Sequence, residues 1–231
     1  MRVEDAREPQ TLRWAPWIVP CAVLLAAALG AAGEPGFSRS ITPGLVAAYN
    51  AHFGRGAQGR LEGWQGFVRR TGAPAAEAGL LSPVNRFVNR VPSETDQDHW
   101  GVEDYWATPA ETFASNGGDC EDYAIAKYFT LKELGIPVAR LRLVYARAQF
   151  SGDAHLVLAY YATPGAEPMI LDNLESDIKP ASDRPDLTPV YTFNDEDMQM
   201  TQRNAPSIRL SPTTNRKWAS VLDKLQRELT F

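Results

Sequence analysis

The chain has 231 residues, 44% of them hydrophobic, and a formal net charge of −5. That is an ordinary globular composition. The mild acidity gives no electrostatic footprint for nucleic acid.

The first stretch stands apart. Trp14 to Ala32 carries no charge and contains an aliphatic run, Ala22 to Leu29, followed by small residues. Residues 1–33 read as a secretory signal with a cut near Ala32. An uncleaved anchor is the alternative, because the apolar run approaches bilayer length although Pro16 and Pro20 interrupt its start. Either way the rest of the chain works outside the cytoplasm, and the expected compartment is the periplasm. Cys21 departs with the signal, and the preceding Ile18-Val19-Pro20 is not a lipidation sequence. Cys120 then stands alone, and an exported protein with one unpaired cysteine either buries it or uses it.

Residues 34–231 suit one domain. Thr42-Pro43 caps and opens a helix to about His52. Helical patterns continue near 60–71 and 75–90, the second carrying Leu80, Val84, Phe87 and Val88 at helical spacing. Thr108-Pro109-Ala110-Glu111 is a capping box that starts a short helix. Asp119 reads as the N-cap of the next helix, which carries Tyr123, Ala124, Tyr128, Leu131 and Leu134 and stops at Gly135. From Val138 the pattern changes to alternation. Leu141, Leu143 and Tyr145 alternate with Arg140, Arg142 and Val144, and the arginines are expected to face solvent. Further strands are expected at 154–161, 168–172 and 190–193. A closing helix from about Thr214 carries Trp218, Val221, Leu225 and Leu229. Helices first and strands afterwards give an α+β fold, with N-terminal helices packed on an antiparallel sheet.

The chemistry concentrates at Gly117-Gly118-Asp119-Cys120-Glu121-Asp122. A helix N-terminus favours a thiolate at Cys120. Three adjacent carboxylates oppose it, each at a cost on the order of 1 to 4 kcal/mol at about 4 Å. A thiol nucleophile needs a base, and the base needs an orienting group. Only His52, His99 and His155 are available. His155 opens one strand and Asp172 closes the next. The simplest hairpin, turning at Thr163-Pro164-Gly165, sets Asp172 directly across from His155. The plainer alternatives are a small buried cysteine, a structural histidine and a turn-forming aspartate.

For Asp119, Glu121 and Asp122 there are again two readings. They complement the helix dipole in solvent, or they bind Ca²⁺, which prefers several carboxylate and carbonyl oxygens. Asp96, Asp98, Glu103 and Asp104 are further oxygen donors within chain reach. Zinc is poorly served by so few histidines and a single remaining cysteine. Trp100 and Trp106 either form a partner-binding surface or pack in the core.

Six segments resemble the bacterial transglutaminase-like cysteine proteases: WGVEDYWATP at 100–109, GDCEDYAIAKY at 118–128, RLRL at 140–143, AHLVL at 154–158, LDN at 171–173 and DLTPVYTFN at 186–194. The resemblance spans about Val84 to Asn194. It implies a papain/transglutaminase-like fold, a Cys120, His155, Asp172 triad, and Ca²⁺ dependence through Asp119, Glu121 and Asp122. It further implies a periplasmic endopeptidase that cuts a large repeat adhesin at a dialanine site near the adhesin's N-terminus, ending biofilm attachment. Such proteases are held inactive by the periplasmic domain of an inner-membrane cyclic-di-GMP receptor. Two other classes fit the same residues: a transglutaminase-type acyl transferase, and a non-catalytic binding module with an idle triad.

Overall fold

The computed structural model describes residues 41–71, 76–149, 152–201 and 207–231. The expected signal segment and Cys21 lie outside them. Helix α1 (Pro43–Phe53) is capped by Thr42, whose hydroxyl accepts the Leu45 N–H at 3.1 Å. Helices α2 (Gly56–Thr71) and α3 (Ala78–Val88) follow, with a single turn α4 (Asp96–His99) and the short α5 (Pro109–Ser115). At α5 both halves of the capping box form: the Thr108 hydroxyl accepts the Glu111 N–H, and the Glu111 carboxylate accepts the Thr108 N–H.

Helix α6 (Cys120–Glu133) is the centre of the molecule. Every residue from Asp122 to Leu131 is buried. A helix covered on all sides has no polar face, so its two charged residues there, Asp122 and Lys127, must find their balance inside the protein. Gly135 ends the helix with φ of 92°, a left-handed turn open to glycine.

The strands form one antiparallel sheet of seven, in the order β4-β3-β2-β1-β5-β6-β7. They are β1 (Leu141–Ala148), β2 (Ala154–Tyr160), β3 (Met169–Leu171), β4 (Lys179–Pro180), β5 (Leu187–Phe193), β6 (Met198–Met200) and β7 (Ile208–Leu210). One sheet face, with Leu141, Leu143, Leu156, Leu158, Leu171 and Phe193, joins the helical core. The opposite face carries a second apolar cluster around Val144, Val157, Ala159 and Ile170. Strand alternation produces both from the same strands. Helix α7 (Arg216–Glu228) closes the core with Trp218, fully buried and stacked on Phe129 at 5.7 Å.

Two expectations change. Arg142 is not solvated: it is 5% exposed, donating from Nε to the Thr192 hydroxyl at 2.9 Å and from Nη2 to Asp197 at 2.6 Å. The β5–β6 turn brings that carboxylate over the sheet, and a paired guanidinium tolerates burial. The hairpin register is also shifted. Leu158 pairs with Leu171 and Ala159 with Ile170, so continuing the ladder places Val157, not His155, across from Asp172.

Candidate active site

The register shift preserves the site because side-chain direction has a period of two. Val157 and His155 project from the same face, which makes His155 the diagonal neighbour of Asp172. His155 Nε2 lies 2.8 Å from Asp172 Oδ1. An ionised carboxylate only accepts, so Nε2 carries the proton and Nδ1 is left with a lone pair. Burial alone would raise the Asp172 pKa. Hydrogen bonds from His155, Arg184 and the Leu174 N–H overcome that and hold it well below the usual carboxylate range.

Cys120 is the first residue of α6 and is half-buried. Its thiol donates to Glu121 Oε2 at 2.9 Å. Burial raises its pKa most, Glu121 next, while the backbone N–H of Leu156 pulls the other way. That last contact ties the sulfur to β2 at the residue following the histidine. Cys120 and His155 line one cavity of about 190 Å³, together with Trp106, Tyr145, Tyr191 and Lys217. Tyr145 and Tyr191 stack at 4.7 Å across adjacent strands to form one wall.

The glycine pair has a steric cause. A Cβ on Gly118 would lie 2.6 Å from Asp122 Oδ2 and 2.8 Å from Asp122 Cβ, and one on Gly117 would run into the His99 ring. His99 itself bridges Glu94 (2.7 Å) and Ser115 (2.8 Å) and belongs to α4 rather than a loop. The main chain also ties this turn down, since the Glu94 N–H donates to the Gly118 carbonyl at 3.0 Å.

Asp119 occupies the N-cap position, yet its side chain makes no capping bond. It turns instead toward Asp96 and Asp122. One carboxylate oxygen from each of the three lies within 4.8 Å of the others, and Asp96, Asp104 and Glu121 form an overlapping group. Ala107 N–H donates to Asp122 Oδ1 at 2.7 Å, and Tyr105 N–H donates to Asp96 Oδ2. Three of the other oxygens, Asp96 Oδ1, Asp119 Oδ1 and Asp122 Oδ2, are buried with no hydrogen-bond donor. Burial, then repulsion from Glu121, Asp122 and Asp96, pushes Asp119 up to about 9. Asp122 is raised for the same primary reason, and Asp96 likewise. Buried carboxylates without donors are costly unless a cation completes them. An all-oxygen set of this kind fits a hard cation.

The structure therefore brings Cys120 and His155 to one cavity, Asp172 behind the histidine, and Asp119, Glu121 and Asp122 into an acidic cluster beside the sulfur. Of the further oxygen donors, Asp96 and Asp104 join it. Asp98 instead accepts from the Thr95 hydroxyl at 2.7 Å, and Glu103 is exposed outside the groups. His52 lies on the exposed end of α1, away from the cavity. Trp106 is 7% exposed and stacked on Phe193, and Trp100 is half-buried against Phe53 and Tyr105, so core packing describes the first and an aromatic cluster the second. Three residues escaped the sequence reading. Arg184 reaches Asp172, Lys217 reaches Asp104 at 2.7 Å, and Lys127 is 1% exposed on α6 with its pKa lowered to about 7 by burial, Asp172 opposing. None carries a local pattern that distinguishes it from a surface cation.

A cysteine at a buried helix start, facing a histidine–aspartate pair on an antiparallel sheet, defines a papain- or transglutaminase-like thiol hydrolase. Residues 68–208 match the bacterial transglutaminase-like cysteine proteinases, and the chain belongs to that family. Solved structures of LapG from Legionella pneumophila are similar to it. The EGTA-treated form is 35% identical with a TM-score of 0.69, covering 79% of this chain and 96% of that one. The calcium-bound form is 37% identical with a TM-score of 0.66, covering 79% and 97%. No curated protein sequence matches.

Proposed function

We propose that this cysteine proteinase is a periplasmic, calcium-dependent endopeptidase. It cuts a large repeat adhesin near the adhesin's N-terminus under the control of an inner-membrane cyclic-di-GMP receptor. The observation that carries the calcium dependence is the set of three buried, donorless carboxylate oxygens, two of them from residues flanking the nucleophile at the start of α6 and one from Asp96. Likeness to LapG, which has been solved in a calcium-bound form, supports the same reading. The uncharged segment from Trp14 to Ala32 supports export. The adhesin and the receptor rest on the family resemblance.

In this mechanism His155 Nδ1 takes the Cys120 proton, and Asp172 keeps the other ring proton on Nε2 and stabilises the imidazolium. The sulfur attacks the scissile carbonyl carbon. Unpaired N–H groups at the start of α6 face the developing oxyanion, where they are already fixed and need no reorganisation. Collapse expels the amine, which leaves with the proton from His155. Water, deprotonated by the same imidazole, then hydrolyses the thioester. The stacked Tyr145 and Tyr191 narrow the cavity beside the sulfur and exclude bulk water from one side. Asp96, Asp119 and Asp122 would hold a calcium ion, whose positive charge would lower the cost of an ionised sulfur among carboxylates. Glu121, which accepts the Cys120 thiol hydrogen bond, would be a further oxygen ligand for the ion.

Co-expression with a candidate adhesin tests the assignment. Cys120→Ala abolishes cleavage with the fold intact, and retained cleavage removes Cys120 as nucleophile. Chelation abolishes activity and lowers the melting temperature, and calcium restores both. Unchanged activity after thorough chelation removes the cation from the mechanism.

A further inference from the structure

Asp172 has two carboxylate oxygens, and only one serves the histidine. Oδ1 accepts from His155 Nε2 at 2.8 Å and from the Leu174 N–H at 3.0 Å. Oδ2 accepts from Arg184 Nη2 at 2.7 Å. Both partners of this ion pair are sealed, with side chains 5% and 0% exposed. Arg184 is itself gripped from behind. Its Nε and Nη2 meet Asp186 Oδ1 and Oδ2 at 2.9 and 2.7 Å, a two-point fork. The backbone fixes it too, since Arg184 N–H closes the turn Ala181–Asp183 onto the Ala181 carbonyl at 3.1 Å. The chain Asp186–Arg184–Asp172–His155 thus runs from the half-exposed rim to the cavity.

We propose that Arg184 is a positioning residue for the protease reaction: its Nη2, held in place by the fork on Asp186, pins Asp172 Oδ2 so that Oδ1 stays on His155. This rests on the Cys120–His155–Asp172 reading. The physical need is rotational. A terminal carboxylate torsion is broad and roughly two-fold. Held only at Oδ1, by the imidazole and the Leu174 N–H, the carboxylate would be free to swing about that oxygen and loosen its hold on the ring. A planar fork anchored on a second carboxylate resists that rotation, whereas a point charge does not. The charged groups acting on Asp172 are His155 from β2, Arg184 and Asp186 from the segment before β5, and Lys127 from α6. Asn89 from α3 donates to the Asp172 main-chain carbonyl at 2.9 Å and contributes no charge. Of these four, His155 and Arg184 hydrogen-bond the carboxylate oxygens, and Lys127 and Asp186 act on them through space.

The test uses purified protein with calcium in excess, at one fixed pH. Two quantities are read: the tautomer of His155, by ¹⁵N NMR of labelled histidine, and the rate at which iodoacetamide alkylates Cys120, by mass of the Cys120 peptide. Wild type shows one tautomer, with the proton on Nε2. Arg184→Gln loses that single tautomer and slows alkylation about tenfold, while in an Asp172→Asn background the same change alters the rate by less than about twofold. Arg184→Lys, which keeps the charge without the fork, recovers the rate only in part and covers the case in which Arg184→Gln does not fold. A wild-type tautomer and rate in both variants, or an undiminished effect in the Asp172→Asn background, overturns the inference. His155→Gln separates the two failures. If it leaves alkylation unchanged the triad itself falls, and if it slows alkylation while the Arg184 variants do not, only the role of Arg184 falls.

Discussion

Glu228, at the end of α7, offers a measurement of how the C-terminal helix is held. It is 4% exposed. Oε1 accepts from the Tyr49 and Thr108 hydroxyls, joining α7 to α1 and to the cap of α5, while Oε2 is buried without a partner. Burial raises its pKa from 4.5 to about 7; the two hydroxyls oppose the rise and Glu111 adds to it. The folded protein therefore binds this proton more tightly than the unfolded chain. Stability from this group is fully present below pH 4.5 and is lost as pH rises through 7. At about 1.4 kcal/mol per factor of ten in proton affinity, the rise corresponds to roughly 3 kcal/mol. Glu228→Gln keeps an oxygen for both hydroxyls and removes the charge. Urea unfolding at about pH 5 and about pH 8.5, with calcium in excess, measures the difference. Wild type loses roughly 3 kcal/mol more than the variant between the two conditions. The comparison is between pH values, so any fixed cost of placing the amide cancels. Parallel losses in the two proteins, within about 0.5 kcal/mol, would refute the account.

Three other perturbations follow from the same structure. Gly118→Ala forces a methyl against Asp122, whose Cβ is fixed by the helix and cannot retreat. It destabilises by about 1–3 kcal/mol and weakens calcium binding, as read by melting with and without the ion, and an unchanged calcium shift would contradict it. Asp122→Asn removes one charge from the donorless cluster, so it raises the melting temperature without calcium and shrinks the gain on adding it. A gain on calcium addition equal to that of wild type would remove Asp122 from the shell. Lys127→Met removes a buried amine that sheds its proton early; stability rises with pH between about 7 and 10.5 as the unfolded chain holds more protons. The variant's advantage over wild type is accordingly larger at about pH 6 than at about pH 10 in urea titrations, and equal advantages would exclude the mechanism.

Sequence alone determined what depends on near neighbours. The proline-led caps at Thr42 and Thr108, the stop at Gly135 and the run of apolar positions through α6 all act within a few residues, and all occur in the folded chain. The meeting of Cys120, His155 and Asp172 was legible because few histidines were on offer and because parity, not the register itself, decides which face a strand residue uses. Tertiary packing decided the rest. Asp96, at the start of α4, and Asp104, on the loop after it, reach the acidic cluster along a path that no local signal fixes. Arg142 is inside because a distant hairpin folds over it. Arg184, Lys127 and Glu228 look like solvated charges in the sequence and are buried in the structure. Burial is a property of what lands on top of a residue, and that is chosen by contacts far apart along the chain.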